Sequence, residues 1–396
     1  MAVQTTEAKL NCRLNRWESL IRRKARLRCL TLRTAGRRLG KVLLAAALGG
    51  SSIPLAVACQ ARIIVRSEAT CACQIRVDRI ATLTDFSGEA GLSRPVVVSR
   101  SRGQYLVVPL QSQGSILLFD SRGQFVRQIG RVGRGPDEFR AILGIESGPA
   151  DSVYIMDAGN GRVAVLAPSL VVARTSPMTI PAGWFGILKD GSLVALSAIS
   201  RAGGARLHVY DPSMAPIRAF MTSREVVPVS SLRRRMTVTR DGIIAVSHWD
   251  DYEIEMWDAS GRHLKTVVGE TRWPEDSSSE GNAPPPPVQE RPTIDGQGRL
   301  WTMIHVADTA WAEAVGPATD LYGRASRAVG DGDLDRYRDS RVEVIDPESG
   351  ALLASLLVDP HLTFFGEDGL AWSYGEDELG LPFVDIWRLD LDSAGK

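Results

Sequence analysis

The chain has 396 residues, 44% of them apolar, enough for a large core in one or two domains. Its formal charge of +1 hides an asymmetry: residues 1–41 carry 12 Lys and Arg against Glu7 and Glu18, and the other 355 residues carry 35 basic and 44 acidic side chains. The part that folds is therefore acidic, which excludes nucleic acid as its default partner.

The basic start runs into Val42–Ala58, an apolar stretch broken by Gly, Ser and Pro that ends in Ala56-Val57-Ala58. A membrane span needs ~20 uninterrupted apolar residues, so this reads as a signal peptide with a small-residue cleavage site. Cys59 follows at once, and Leu55-Ala-Val-Ala-Cys59 resembles a bacterial lipobox, with Ala56 where Leu is usual. Two outcomes stay open: lipidation of Cys59, or ordinary cleavage before an incidental cysteine. The chain is expected to be exported, either periplasmic or lipid-anchored to the envelope, and to meet a membrane only through that anchor. Residues 59–73 read as a tether. Cys71 and Cys73 lie in it, too few and wrongly spaced for a zinc site but available for a disulfide.

Gln74–Leu83 alternates polar and apolar residues, the period of a strand, and has no hairpin partner nearby. After it come six short strands of the same kind: Ile116–Asp120, Val163–Ala167, Leu207–Asp211, Ile254–Asp258, Val342–Asp346 and Val384–Arg388. Four of the six close on Asp, whose side chain can bond the backbone two residues on and start a turn. A second series of turn-plus-strand units precedes each of them, at Arg102, Ala150, Asp190, Asp241, Gly298 and Asp368. Two series at a spacing of about 40–50 residues describe a repeat, and four strands per repeat describe a propeller blade. The expected fold is all-β, a six-bladed β-propeller over residues 74–396 after a leader and signal peptide at 1–58. The last blade is one strand short, and the Gln74 strand is expected to complete it and close the ring. A closed ring of this kind is expected to be a monomer.

Asp258 to Asp346 spans two repeat lengths but holds one turn-strand signal. Residues 271–290 and 307–340 do not alternate and are read as insertions rather than a seventh blade. Labelling the strands A to D from the axis outward, the A–B and C–D connections are short and the long ones are B–C and D–A. In an up-and-down meander those share one face, so a binding surface is expected there.

Ile129-Gly-Arg-Val-Gly-Arg-Gly-Pro-Asp-Glu-Phe139, followed by Asp157-Ala-Gly-Asn-Gly-Arg162, resembles NHL-repeat propellers and the wider TolB-like six-bladed group. That resemblance implies a fold far more than an activity, since the group holds binding modules, lactonase-like metalloenzymes and an amidating lyase. It implies that Asp157, Asn160 and Arg162 tie the B–C turn together. The lactonase pattern needs an early acid on the first inner strand, and Arg94–Ser99 has none.

Two of the five histidines fall at matching places: His248 and His305 end the B strands of neighbouring blades. Asp250 and Asp251 follow the first, and Asp308 follows the second. Neutral imidazoles with carboxylates can hold Zn²⁺, or Ca²⁺ where oxygen dominates. Asp157 and Tyr374 occupy the equivalent level in two other blades, and Trp249 stands beside His248. The candidate ligand-binding set is therefore Asp157, His248, Trp249, Asp250, His305, Asp308 and Tyr374, with His248 and His305 as candidate metal ligands. No nucleophile motif is present. Arg233-Arg234-Arg235 reads as a solvated loop. The expected function is binding of a protein or small ligand on the long-loop face, without catalysis and without a cofactor. The rival is a metal-dependent lyase or hydrolase built on His248 and His305. A third reading is a scaffold subunit of an envelope complex.

Overall fold

The aspartate that ends the third strand of a repeat builds the turn after it. Asp120 Oδ1 accepts the amides of Arg122 and Gln124, each at 2.9 Å. Asp211 and Asp258 repeat the pattern two and four residues on, at 2.8–3.0 Å. In the second repeat Ala167 stands in the Asp position; there Leu170 takes a left-handed φ of 62° and its amide donates to the Ala167 carbonyl at 2.8 Å.

The computed structural model describes residues 62–65, 69, 71, 73–85, 91–178, 182–197, 204–222, 234–270, 283–319, 325–329, 334–366 and 369–393. These form six antiparallel blades. Strands A to D are Pro95–Ser101, Gln104–Pro109, Ile116–Phe119 and Phe125–Ile129 in blade 1. They are Ile142–Ser147, Val153–Asp157, Arg162–Leu166 and Val172–Pro177 in blade 2. Blade 3 uses Ala182–Ile187, Leu193–Ser197, Ala205–Tyr210 and Pro216–Thr222. Blade 4 uses Arg234–Val238, Ile243–His248, Glu253–Asp258 and His263–Val268. In blade 5 strand A is split into Val288–Gln289 and Thr293–Ile294, where Pro292 interrupts the ladder. Leu300–Ala307, Arg338–Asp346 and Ala351–Val358 follow. Blade 6 has Thr363–Phe365, Leu370–Glu376 and Pro382–Ser393, and its fourth strand is Cys73–Thr84 from the other end of the chain.

Alternation gives every blade two apolar faces, and each must be covered by a neighbour. The buried side chains fall into six clusters, one per blade interface. The last joins Leu83, Trp372 and Ile386 of blade 6 to Val98, Tyr105 and Phe119 of blade 1. Burial of each such side chain contributes about 1.5–3 kcal/mol.

Three expectations change. Part of the segment read as a tether is bound to the ring: Arg62–Ile64 pairs in parallel with the outer strand of blade 4, and Val65 is buried in the interface between blades 4 and 5. Ala69 then bridges to Leu352 on the outer strand of blade 5, and a Cys71–Cys73 disulfide precedes the strand that enters blade 6. The described residues of this stretch, 62–65, 69, 71 and 73–84, thus lie along the outer edges of three blades, held by backbone pairing that carries little side-chain pattern.

The second change concerns the bounds and content of 307–340: strand B of blade 5 runs to Ala307 and strand C starts at Arg338, and between them Val315–Thr319 pairs with Ala325–Val329 and Leu334–Tyr337 forms a helical turn. Val288 and Gln289 belong to strand A of blade 5, so the preceding insertion is shorter than expected. Third, Arg234 and Arg235 are not a solvated loop but open strand A of blade 4 with carboxylate partners. The leader 1–58, Cys59 and Arg233 lie outside the described residues. Among the described residues no helix is long and apolar enough to cross a membrane.

Candidate functional site at the long-loop end

The glycines between blades 1 and 2 serve geometry. Gly130 has φ +70°, and a Cβ there would lie 2.5 Å from the Phe139 ring; one on Gly133 would lie 2.1 Å from the Glu138 carboxylate. Glu138 in turn accepts the amides of Arg134 and Gly135 at 2.9 and 2.8 Å. The Gly135 amide, with Arg131, holds its carboxyl below the usual range. Asp157 belongs to the same construction. It is fully buried and accepts from the Arg140 amide (3.0 Å), Asn160 Nδ2 (2.7 Å) and Arg162 Nε (3.1 Å). Both carboxylate oxygens are engaged internally, so Asp157 holds the turn and presents nothing to a ligand. Tyr374 is likewise buried, in the cluster between blades 6 and 1, with its hydroxyl donating to Glu376 at 2.9 Å.

His305 does not end strand B of blade 5, which runs two residues further to Ala307, and it is only 2% exposed. Its Nε2 donates to the Leu362 carbonyl at 2.8 Å, and its Nδ1 lies 3.8 Å from Glu290 Oε1. Its ring stacks on His361 with centroids 3.8 Å apart and planes at 35°. Stacked imidazoles aim their lone pairs side by side rather than at one point, which does not suit a shared metal. His361 was missed by sequence reasoning; it sits in an unpatterned D–A connection 56 residues from its partner.

Burial pushes both rings below the ordinary histidine value; Glu290 opposes this at His305, while Arg338 reinforces it at both rings, Arg235 at His305, and Arg94 and the other ring at His361. The unfolded chain takes up these protons near pH 6.5 and the folded chain only at lower pH. Their contribution to stability is therefore full above about pH 6.5 and is lost as pH falls from there through the lower folded-state values. Urea midpoints measured from pH 8 to pH 5 are expected to fall more steeply for wild type than for His361→Phe; equal slopes would contradict this account.

His248 does not join His305. Its Nε2 lies 3.3 Å from Glu255 and 3.9 Å from Glu253, both on strand C of its own blade. One ligand atom from each of these three residues fits within 4.8 Å, so His248, Glu253 and Glu255 form a candidate donor set for a divalent cation. The fit is compromised because Arg234 holds the same Glu255 oxygen at 3.2 Å. A second set, Asp308, Asp339 and Asp359, offers oxygen only and would suit a hard cation such as Ca²⁺. Burial and the neighbouring Asp308 push Asp339 up to about 6. Asp250 is exposed on the turn after His248.

Around the axis the inner strands contribute a polar network. Arg235 lies 5.0 Å from the rings of both Trp184 and Trp249 and pairs with Glu290 at 3.2 Å. Arg291 of blade 5 reaches across to Glu146 of blade 2 at 3.0 Å and donates to Thr237 at 3.3 Å. A small space of about 50 Å³ lies beside this pair. The blade 5 insertions close on the same region: Arg338 donates to the carbonyls of Pro286 (2.6 Å) and His305 (3.2 Å), and Asp335 accepts the His361 amide at 2.7 Å.

With this geometry in view, the comparisons concern the fold. The model of a family described as a 6-bladed beta-propeller, DUF5128, matches residues 90–165, which hold blade 1 and most of the first three strands of blade 2. No curated protein matches the sequence. A Bacteroides fragilis protein described as exported is 10% identical with a TM-score of 0.55, over 83% of this chain and 99% of that one. A DUF4221-family member from Bacteroides vulgatus is 11% identical with a TM-score of 0.53, over 81% and 99%. Virginiamycin B lyase from Staphylococcus aureus is 10% identical over 79% and 99%, and its TM-score of 0.42 carries no argument about activity. The chain is a six-bladed β-propeller similar in fold to bacterial proteins of that architecture.

Proposed function

We propose that the chain is an exported binding propeller that holds a protein or small ligand at its long-loop end, without catalysis and without a metal. One observation carries the reading: the described parts of the blade 5 insertions are tied to the ring and to each other. Arg338 links the Pro286 carbonyl of one insertion to strand B at His305, and Asp335 fixes the His361 amide. Insertions that had drifted on a tolerant surface would have no need of such ties, whereas a platform that meets a partner must be rigid before contact. The donor atoms of His248 and His305 are committed to separate neighbours, which weighs against a lyase or hydrolase built on both.

The finer placement belongs to the same proposal. The glycine turn and the Asp157–Arg162 signature support kinship with the NHL and TolB-like propellers, and Val42–Cys59 supports export to the periplasm, with Cys59 as the lipid attachment point. To test the binding face, a photo-crosslinking residue is placed at exposed Ala312 on the platform, or at exposed Gln297 on the opposite face, in cells that make the chain. A discrete adduct is expected from position 312 and none from 297. Adducts from 297 alone, equally from both, or from neither would contradict the reading.

A further inference from the structure

The pairing of Arg62–Ile64 with blade 4 fixes where the start of the chain meets the ring. Arg62, Ile63 and Ile64 lie opposite Thr266, Val267 and Val268 on the outer strand. The Val65 amide donates to the Val268 carbonyl at 2.8 Å, and the Val65 side chain is buried between blades 4 and 5. This stretch is therefore a fifth strand on blade 4, docked by its backbone and by one buried side chain. Three peptide units separate Arg62 from Cys59. Consecutive Cα atoms are about 3.8 Å apart, so Cys59 stays within about 11 Å of Arg62 whatever path the backbone takes.

Acyl chains on Cys59 hold that residue at the headgroup level of a bilayer. The ring is much wider than the leash. Two opposite blades of four strands, spaced about 4.8 Å, put their outer edges roughly 30 Å or more apart. The outer strand of blade 1, three blades round from blade 4, is then on the far side. The surface beside the leash also suits a lipid boundary. Ile64 is 60% exposed, and Arg62 is 58% exposed although it lies 3.8 Å from Glu253. An open apolar side chain next to an open guanidinium matches the acyl and phosphate layers of a membrane surface.

We propose that this short leash holds the outer edge of blade 4 against a lipid bilayer, so that the propeller stands edge-on and both ends of its axis open sideways. The proposal rests on the reading of Cys59 as the lipid attachment point. To test it, the full chain is made in bacteria, recovered from the membrane fraction and reconstituted in vesicles of phosphatidylethanolamine and phosphatidylglycerol, a minority of whose headgroups carry an acceptor dye. A fluorescent noncanonical residue is placed at Ser260 on the outer turn of blade 4, or at Arg127 on the outer strand of blade 1, both exposed. Energy transfer to the lipids is expected to be stronger from 260 than from 127. A flexible insert of about twenty Gly and Ser residues after Gln60 adds about 25 Å of reach, and is expected to keep the chain on the membrane while bringing the two transfers together. With the chain on the membrane, equal transfer from both positions, stronger transfer from 127, or a difference unchanged by the insert would overturn the edge-on arrangement and leave the anchor standing. A soluble chain whose N-terminal peptide carries no lipid would remove the anchor itself, and the proposal with it.

Discussion

A chain that begins at residue 85 is expected not to fold as a monomer, whereas one that begins at Cys59 folds cooperatively. Residues 73–84 supply the outer strand of blade 6 through eleven residue pairs with Pro382–Ser393. They also bury Leu83 completely in the interface that closes the ring onto blade 1, while Ile75 and Val77 pack between blades 5 and 6. At about 1.5–3 kcal/mol for a fully buried aliphatic side chain, and less for the two partly buried ones, the loss is comparable with a whole domain's net stability of about 5–15 kcal/mol. Truncation also bares the edge of an otherwise paired strand, which invites aggregation. Buried Asp385 would lose both Arg79 (3.2 Å) and Thr82 (2.5 Å). Size exclusion and thermal melts distinguish the two chains, and a peptide of residues 73–84 added in trans is expected to recover part of the folded fraction. A soluble, cooperatively melting monomer from residue 85 onward would show that the ring does not depend on this strand.

Asp157→Ala is expected to destabilise the chain by about 3–5 kcal/mol, the usual cost of breaking a buried ion pair on one side. The substitution strands the Arg162 guanidinium, 14% exposed, and frees the Arg140 amide and Asn160 Nδ2. Arg162 would keep only its carbonyl partners, Gly135 at 2.9 Å and Glu138. Because one network links them, Asp157→Ala combined with Arg162→Met is expected to cost less than the two single changes together. Urea denaturation of the three variants provides the comparison. A single-variant loss below about 1 kcal/mol would mean that the turn is held by its glycines alone.

The parts of this fold that were legible in the sequence are local. A strand has period two, and an aspartate that bonds amides two and four residues on writes its turn into five consecutive positions, as at Asp211 and Asp258. The closing strand was legible by elimination, because Gln74–Leu83 had no neighbour and the last repeat lacked one strand. What stayed hidden depends on distant residues. Arg235 reads as one of three basic residues until Glu290, 55 positions away, is placed beside it. His361 has no periodic context, and its stacking on His305 arises only when two blades meet. The N-terminal stretch over blades 4 and 5 is held mainly by backbone pairing, which side-chain pattern does not encode. The pairing of His248 with His305 failed for the same reason. Equivalent positions on neighbouring blades place the two residues at one level, yet each ring turns to its own nearest acid or carbonyl.

The absence of a shared metal centre is the claim on which the binding reading turns, and metal content tests it most directly. The full chain, purified without chelator and dialysed against zinc and calcium, is compared by elemental analysis with His248→Ala/His305→Ala. The account predicts well under one equivalent of either metal in both proteins. One equivalent of metal per chain in the wild type, lost in the double variant, would contradict it and return the mouth of the propeller to metal-dependent chemistry.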